Sequence, residues 1–196
     1  MKVDKQCICG CDEVGRGAGA GEIYVAAVIL DPNQPIEGLN DSKKLTPRRR
    51  EILAEIIKEK AIAVTIATAS LDEIAELNVL HATLLAMKRA IESLPVLPDK
   101  VMIDGNKAPK LSVPCETIIK GDSLVPAISA ASIVAKVARD QVMTDYEKVY
   151  PLYGFAHHKG YFTKEHLANL QKYGPCPIHR VTYGPVKELL QTNPLF

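Results

Sequence analysis

Four acidic residues stand where the chain's pattern changes rather than on polar helix faces. Asp12 and Glu13 close one β-rich run, Asp104 closes another, and Asp122 opens a long helical run. Carboxylates gathered from the ends of several strands repel one another, and each is costly to ionise without a partner. A hard divalent cation removes that cost, and an all-oxygen ligand set selects Mg2+ or Mn2+ over zinc. Two such ions can hold the attacking water and the leaving oxygen of an in-line phosphodiester cleavage. Singly, each acid has a plainer reading. Asp122 would serve as a helix cap, Asp104-Gly105-Asn106 as a turn, and Asp12-Glu13 as a solvated strand end. Neighbours on a regular strand also face opposite sides, so Asp12 and Glu13 can share a site only where the strand twists or ends. The glycine at position 15 makes such an end feasible.

Gly15-Arg16-Gly17 adds a second signal. Two glycines let the backbone approach a ligand closely, and a guanidinium binds phosphate bidentately. The plainer reading is a flexible hairpin turn. A nucleotide-binding loop is the rival, but no Gly-x-x-x-x-Gly-Lys-Ser/Thr occurs and no helix follows the Gly-x-Gly.

These residues need elements to position them. Residues 7–14 and 22–30 read as two strands joined across a glycine-rich connection. Thr46-Pro47 opens a helix through Lys60, with Thr as cap and Pro at the first position. Residues 61–69 form a third strand, and 71–94 a short helix followed by a long one, ended by Pro95 and Pro98. Strands follow at 100–103 and 113–119, then a long helix over about 123–149. Residues 155–161 read as a loop, 163–172 as a helix capped by Thr163, 174–183 as irregular, and 185–190 as a last short helix. This order predicts an α/β chain with a mixed sheet and helices packed on it.

The 196 residues suit one domain, or one with a small appended lobe, and 47% hydrophobic with 24% charged residues argues against disorder. The apolar runs are too short to span a bilayer, and Met1-Lys2-Val3-Asp4-Lys5 lacks an apolar signal region, so a cytoplasmic protein is expected. A net charge of +1 rules out a global basic field as the argument for nucleic acid. Two local fields remain: residues 43–60 carry seven basic against three acidic residues, and residues 157–196 carry five against two. Basic segments flanking an acidic centre suit a nucleic-acid partner. Cys7, Cys9 and Cys11 alternate on one strand face and read as core rather than metal ligands, since neither a Cys-x-x-Cys nor a matching His pair accompanies them.

Taken together, the segments Asp12-Glu13-Val14-Gly15-Arg16-Gly17, Asn40-Asp41-Ser42-Lys43-Lys44-Leu45, Ile103-Asp104-Gly105-Asn106, Lys120-Gly121-Asp122-Ser123, Ile128 through Asp140, and His158-Lys159-Gly160-Tyr161 resemble bacterial ribonuclease HII over about residues 8–190. The resemblance implies a ribonuclease H-like mixed sheet, with residues 1–150 as catalytic core and 151–196 as a helical substrate-binding extension. It places Asp12, Glu13, Asp104 and Asp122 as metal-binding carboxylates for two Mg2+ or Mn2+ ions. Gly15, Arg16 and Gly17 match the loop that reads the 2′-hydroxyl, the group that separates RNA from DNA. Tyr161 matches the tyrosine that stacks under the sugar beyond the DNA–RNA junction. Lys43, Lys44 and Lys159 are expected phosphate or backbone contacts. The implied activity is endonucleolytic hydrolysis 5′ to a ribonucleotide, in RNA/DNA hybrids or in DNA with an embedded ribonucleotide, leaving 3′-hydroxyl and 5′-phosphate ends. The role would be ribonucleotide removal during DNA replication and repair, by a monomer. The alternative is a non-catalytic hybrid-binding module.

One segment departs from the family pattern. Pro-Leu-Ala-Gly-Pro usually follows Gly-Arg-Gly, and here Ala18-Gly19-Ala20-Gly21-Glu22 does. Loss of both prolines implies a looser loop, with weaker or less selective binding. Three other features are set aside. Ser129-Ala130-Ala131-Ser132 reads as close helix packing, Asp140 as too far along its helix to join Asp122, and His157 and His158 as surface polar residues rather than proton shuttles.

Overall fold

The computed structural model describes residues 6–192. The polar start at residues 1–5 and the last four residues lie outside them. Five strands, β1 (Ile8–Val14), β2 (Ile23–Ile29), β3 (Ala63–Ala69), β4 (Lys100–Asp104) and β5 (Cys115–Ile118), form one sheet in the order β3-β2-β1-β4-β5. β1, β2 and β3 pair antiparallel, while β4 joins β1, and β5 joins β4, in parallel. The mixed sheet expected from the element order is therefore present.

Side-chain alternation along β2 separates the two faces. Ile23, Val25, Ala27 and Ile29 enter one core with Cys9, Cys11 and the helix α2 (Leu71–Glu92). Ala26 and Val28 enter the other with α1 (Pro47–Lys60) and α3 (Pro126–Val149). Cys9 and Cys11 thus serve as small core residues, and burial pushes the Cys9 thiol up to about 12. Asn78 (φ 68°) divides α2 into the expected short and long pieces, and its side chain caps the second by accepting from Leu80 and His81 N–H.

The small residues of α3 let its first turns lie on β1. A Cβ at Gly10 would overlap the Ala127 backbone. Gly10→Ala must therefore push α3 off the sheet, and a loss of about 3 kcal/mol is expected by urea denaturation. An unchanged midpoint would show that the helix yields freely.

Three boundaries differ from the sequence expectation. The long helix begins at Pro126, not 123. Residue 125, preceding a proline, is held extended (φ −119°, ψ 116°), so Gly121–Ser123 form a separate 3-10 turn. The strand read at 113–119 shortens to Cys115–Ile118 at the sheet edge. The loop read at 155–161 contains a one-turn helix, α4 (Phe155–His158), entered and left through left-handed Gly154 and Lys159. Helices α5 (Lys164–Tyr173) and α6 (Gly184–Thr192) follow. Tyr153, Phe155 and Ile178 pack with Met143 of α3 and Ala20 of the β1–β2 connection. Among the described residues no helix is long and apolar enough to cross a membrane.

Candidate active site

The parallel register aligns Cys11 with Ile103. One step further along both strands, Asp12 and Asp104 stand side by side at the same sheet end. Asp104 then organises the third contributor: its Oδ1 accepts from Gly121 N–H at 2.7 Å and from Asp122 N–H at 3.4 Å. The 3-10 turn carrying Asp122 is thereby fixed to the β4 carboxylate, and Ser129 Oγ of α3 ties down the Asp122 carbonyl at 2.5 Å. Asp12 Oδ1 accepts from Glu13 N–H at 2.7 Å, and Ser132 of α3, whose Oγ lies 2.9 Å from Ser42 Oγ, pulls the Asp12 carboxyl the other way from burial. The serines of the small-residue stretch thus tie α3 to the Asp122 backbone and to Ser42 as well as letting the helix approach.

Glu13 does not break the strand's pairing, which continues through Val14. The alternation tension is met at the sheet end, where Asp12 and Glu13 both feel the charge of Asp104. Burial first, then Glu13 and Asp104, hold the Asp12 carboxyl well above the usual carboxylate range. Burial also raises Glu13, despite the Arg16 guanidinium 3.2 Å away. Asp122 is raised by burial, then by Asp104 and Asp41, with Lys43 opposing.

The carboxylates therefore form a buried, under-compensated negative cluster whose ligand atoms are all oxygen. That donor set fits hard divalent cations. Among the described residues, no three such side chains stand close enough together to hold one ion as they are placed. Their geometry is a partly fixed rim, in which backbone N–H groups hold one oxygen each of Asp12 and Asp104.

Lys43 and Lys44 stand at this rim. Lys43 acts on Asp122, and Lys44 Nζ reaches Ser123 Oγ at 3.2 Å. From the sequence, Asp41 is one member of the Asn40–Leu45 motif. Here it caps the 42–44 turn through Lys43 N–H at 2.9 Å and its charge raises Asp122, so it is a fifth carboxylate at the edge of the cluster.

The Gly15–Glu22 connection, which lacks both prolines, is held by side chains from elsewhere in the fold. Ala18 and Ala20 are buried, and two fully buried arginines hold the loop's carbonyls. Arg139 of α3 donates to Ala20 O (3.0 Å), Glu22 O (3.1 Å) and Lys159 O (2.9 Å). Arg180 donates to Gly21 O from Nε (2.9 Å) and Nη2 (2.7 Å) and to Arg16 O (2.9 Å), where Tyr183 OH also donates. Gly15 needs to be glycine twice over: its φ is 94°, and a Cβ there would overlap the Arg139 guanidinium. The Tyr161 ring lies beneath Arg139, 5.6 Å from Cζ to centroid, and within 3.9 Å of where a Cβ on Gly17 would sit. Loop and tyrosine thus form one surface. Neither arginine was singled out from sequence, because a charge in an amphipathic helix or an irregular segment ordinarily faces water.

Other expectations separate. Lys159 Nζ points to α3, bonding Thr144 Oγ1 (2.7 Å) and Asp140 O (3.3 Å), and lines a cavity of about 450 Å3 with Arg50, Lys136 and Asp140. Asp140 pairs with Lys136 (2.7 Å) and Arg50 (3.8 Å), a salt-bridge role as read. His157 is exposed, whereas His158 is buried and not a surface residue, because α4 turns it inward onto Tyr153 O.

A five-stranded mixed sheet, helices on both faces and acids at the ends of adjacent parallel strands define a ribonuclease H-like hydrolase. The family model for ribonuclease HII matches residues 9–186. The ribonuclease HII of Desulforamulus reducens is 61% identical over 93% of this chain and 92% of its own. Among solved structures, ribonuclease H2 from Pyrococcus horikoshii superposes with a TM-score of 0.79 at 25% identity, covering 94% of this chain and 97% of that one. Bst-RNase HIII in complex with Mn2+ shares the fold at a TM-score of 0.71 and 18% identity, covering 97% and 71%. The chain belongs to the ribonuclease HII family and is an endoribonuclease of the ribonuclease H type.

Proposed function

We propose that this endoribonuclease hydrolyses the phosphodiester 5′ to a ribonucleotide, in RNA/DNA hybrids and in DNA with an embedded ribonucleotide, leaving 3′-hydroxyl and 5′-phosphate ends. The observation that carries the reading is the cluster of buried Asp12 and Asp122 around half-buried Asp104, with Glu13 beside it and Arg16 and Lys43 in partial compensation. Such a cluster suits two divalent cations, Mg2+ or Mn2+, held by Asp12, Glu13, Asp104 and Asp122. When bound, they would supply the positive charge that activates water and stabilises the leaving oxygen. The Mn2+ complex of the related HIII enzyme supports a divalent ion in this fold.

The chain's own groups do the rest. Gly15, Arg16 and Gly17, held from behind by Arg139 and Arg180, offer a fixed backbone to the 2′-hydroxyl. The Tyr161 ring, 37% exposed, offers a stacking face for the sugar beyond the junction. Lys43 and Lys44 would bind phosphates at the rim. Lys159 would act from the cavity side of α3. In this reading residues 1–150 are the catalytic core and 151–196 the substrate-binding extension, working as a monomer in the cytoplasm to remove ribonucleotides from DNA.

The test is a DNA duplex with one ribonucleotide, labelled in turn at each end of the cut strand. Cutting at the 5′ side of the ribonucleotide, with a 3′-hydroxyl on the upstream fragment and all-DNA duplex left whole, is expected. Cutting on the 3′ side, or of DNA alone, would overturn the substrate assignment. The all-DNA duplex is this substrate with its 2′-hydroxyl replaced by hydrogen, and its cleavage is expected to be slower by a thousandfold or more, on the order of what a site loses when its polar groups have no partner.

A further inference from the structure

Three histidines that the catalytic reading leaves unused lie together behind Tyr161. His158 ends α4, His166 lies in α5 and His179 in the 174–183 segment, and all three are buried. The rings of His158 and His166 stack with centroids 4.4 Å apart, and Phe155 packs against both edge-on.

Hydrogen-bond accounting fixes where their protons sit. The Tyr161 carbonyl can only accept, so His166 Nδ1, 3.0 Å away, carries its proton. His166 Nε2 is then bare and accepts from His179 Nε2–H at 3.0 Å. His179 Nδ1 is then bare and accepts from the Cys176 N–H at 2.9 Å, its shortest contact, with the Cys176 thiol at 3.1 Å and the Cys176 carbonyl at 3.2 Å further off. The Tyr153 carbonyl also only accepts, so His158 carries its proton on Nε2, 2.7 Å away, and His158 Nδ1 accepts from Gly160 N–H at 3.2 Å. His158 and His166 thus each donate to a carbonyl through one ring nitrogen and accept through the other. Burial pushes His166 and His179 down to about 4, which keeps them neutral at physiological pH.

Both outer ends of this arrangement grip the same two residues. One holds Gly160 N–H and the other the Tyr161 carbonyl. Through His179 it also reaches the recognition loop. Ala20 and His179 form a β-bridge, Arg180 N–H donates to Gly19 O at 2.8 Å, and Gly21 N–H donates to Ile178 O at 2.9 Å. Gly19 N–H closes the circle on Gly160 O at 2.8 Å.

We propose that His158, His166 and His179 are positioning residues: a cluster of neutral imidazoles that fixes the Gly160–Tyr161 backbone in register with the Gly15–Gly21 loop, and so sets the Tyr161 ring for the sugar it is to stack against. The inference rests on the reading of Tyr161 as that stacking residue. Its function is geometric, since no histidine of the three touches the carboxylates in the hydrogen bonds described.

Two variants at one position separate positioning from mere stability. In His166→Asn the side-chain amide nitrogen falls near Nδ1 and can still donate to Tyr161 O. In His166→Gln the amide falls nearer Nε2 and faces His179 instead. On a DNA duplex with a single ribonucleotide, kcat/KM is expected to fall about tenfold in His166→Gln and to stay within about twofold of wild type in His166→Asn, at a temperature where both are folded. Equal activity of the two would overturn the proposal. Should neither variant fold, nitrogen-15 NMR of the wild-type imidazoles decides. Nδ1–H on His166 with Nε2–H on His158 and His179 is expected, and any other pattern overturns it. Tyr161→Ala runs alongside. An impaired Tyr161→Ala with an unimpaired His166→Gln sinks the cluster's role alone, while an unimpaired Tyr161→Ala sinks the stacking role on which it rests.

Discussion

Asp12→Asn is expected to lower cleavage on the order of a thousandfold or more while making the cation-free protein more stable. Activity should fall because a neutral amide cannot replace a carboxylate beside Asp104. Stability should rise because the wild-type carboxyl is buried beside two like charges, whereas an amide oxygen can still accept from Glu13 N–H. The pH dependence has a definite sign. A carboxyl raised in the fold above its unfolded value favours folding most below the unfolded value, near 3.8, and that contribution is lost as pH rises through the folded value. In chelator, wild type should therefore lose stability from about pH 4 upward, and the variant should lose less. By pH 7 a gap of about 2 kcal/mol in favour of Asp12→Asn is expected in urea denaturation. Adding Mg2+ should narrow it by stabilising wild type. A variant less stable than wild type in chelator would mean that the cluster is not under-compensated.

Arg139→Met carries the second large effect. The guanidinium is fully buried and donates to three carbonyls from two separate stretches of chain, the β1–β2 connection and the residue that follows α4. Methionine fills much of the volume but leaves Ala20, Glu22 and Lys159 carbonyls without their donor. A loss of about 4 kcal/mol is expected, since each orphaned buried acceptor costs about 1–3 kcal/mol and partial relaxation recovers some of it. Arg139→Lys keeps the charge but cannot span the three acceptors, so it should recover less than half of that loss. The readout beyond stability is discrimination. At a temperature where the variant is folded, binding to a ribonucleotide-containing duplex should fall toward that for all-DNA duplex, because the same side chain holds the loop and covers the Tyr161 ring. Full discrimination in a folded Arg139→Met protein would show that the loop stands without this support.

Much of the frame was legible because it rests on local rules. The alternating β2 run, the Thr46-Pro47 helix start and the break within residues 71–94 each follow from periodicity or capping, and each is present. The acids were legible by position, as residues ending strands or opening a helix. What brings them together was not. The parallel pairing of β1 with β4 joins residues 92 apart in sequence, and periodicity carries no information about partner or register. The start of α3 was misplaced because Asp122 reads as a cap, while Pro126 and Asp104 set the actual geometry. Arg139, Arg180 and the three histidines were missed for one reason: polar residues in helices and irregular segments ordinarily face water, and only the tertiary fold turns these inward. The loop departure from proline to alanine and glutamate was visible at once. Its physical meaning was not, because the restraint comes from α3 and from the 174–183 segment.

The most direct test of the central claim is cleavage of a DNA duplex bearing one ribonucleotide, followed for wild type and Asp104→Asn in Mg2+, in Mn2+ and in chelator. Asp104 is chosen because it lies between Asp12 and Asp122 and fixes the turn that carries Asp122. Cutting by wild type with either ion, none in chelator, and none by a folded Asp104→Asn protein is the predicted result. Cutting in chelator, or by Asp104→Asn at the wild-type rate, would contradict the account of a carboxylate cluster that works by holding divalent cations.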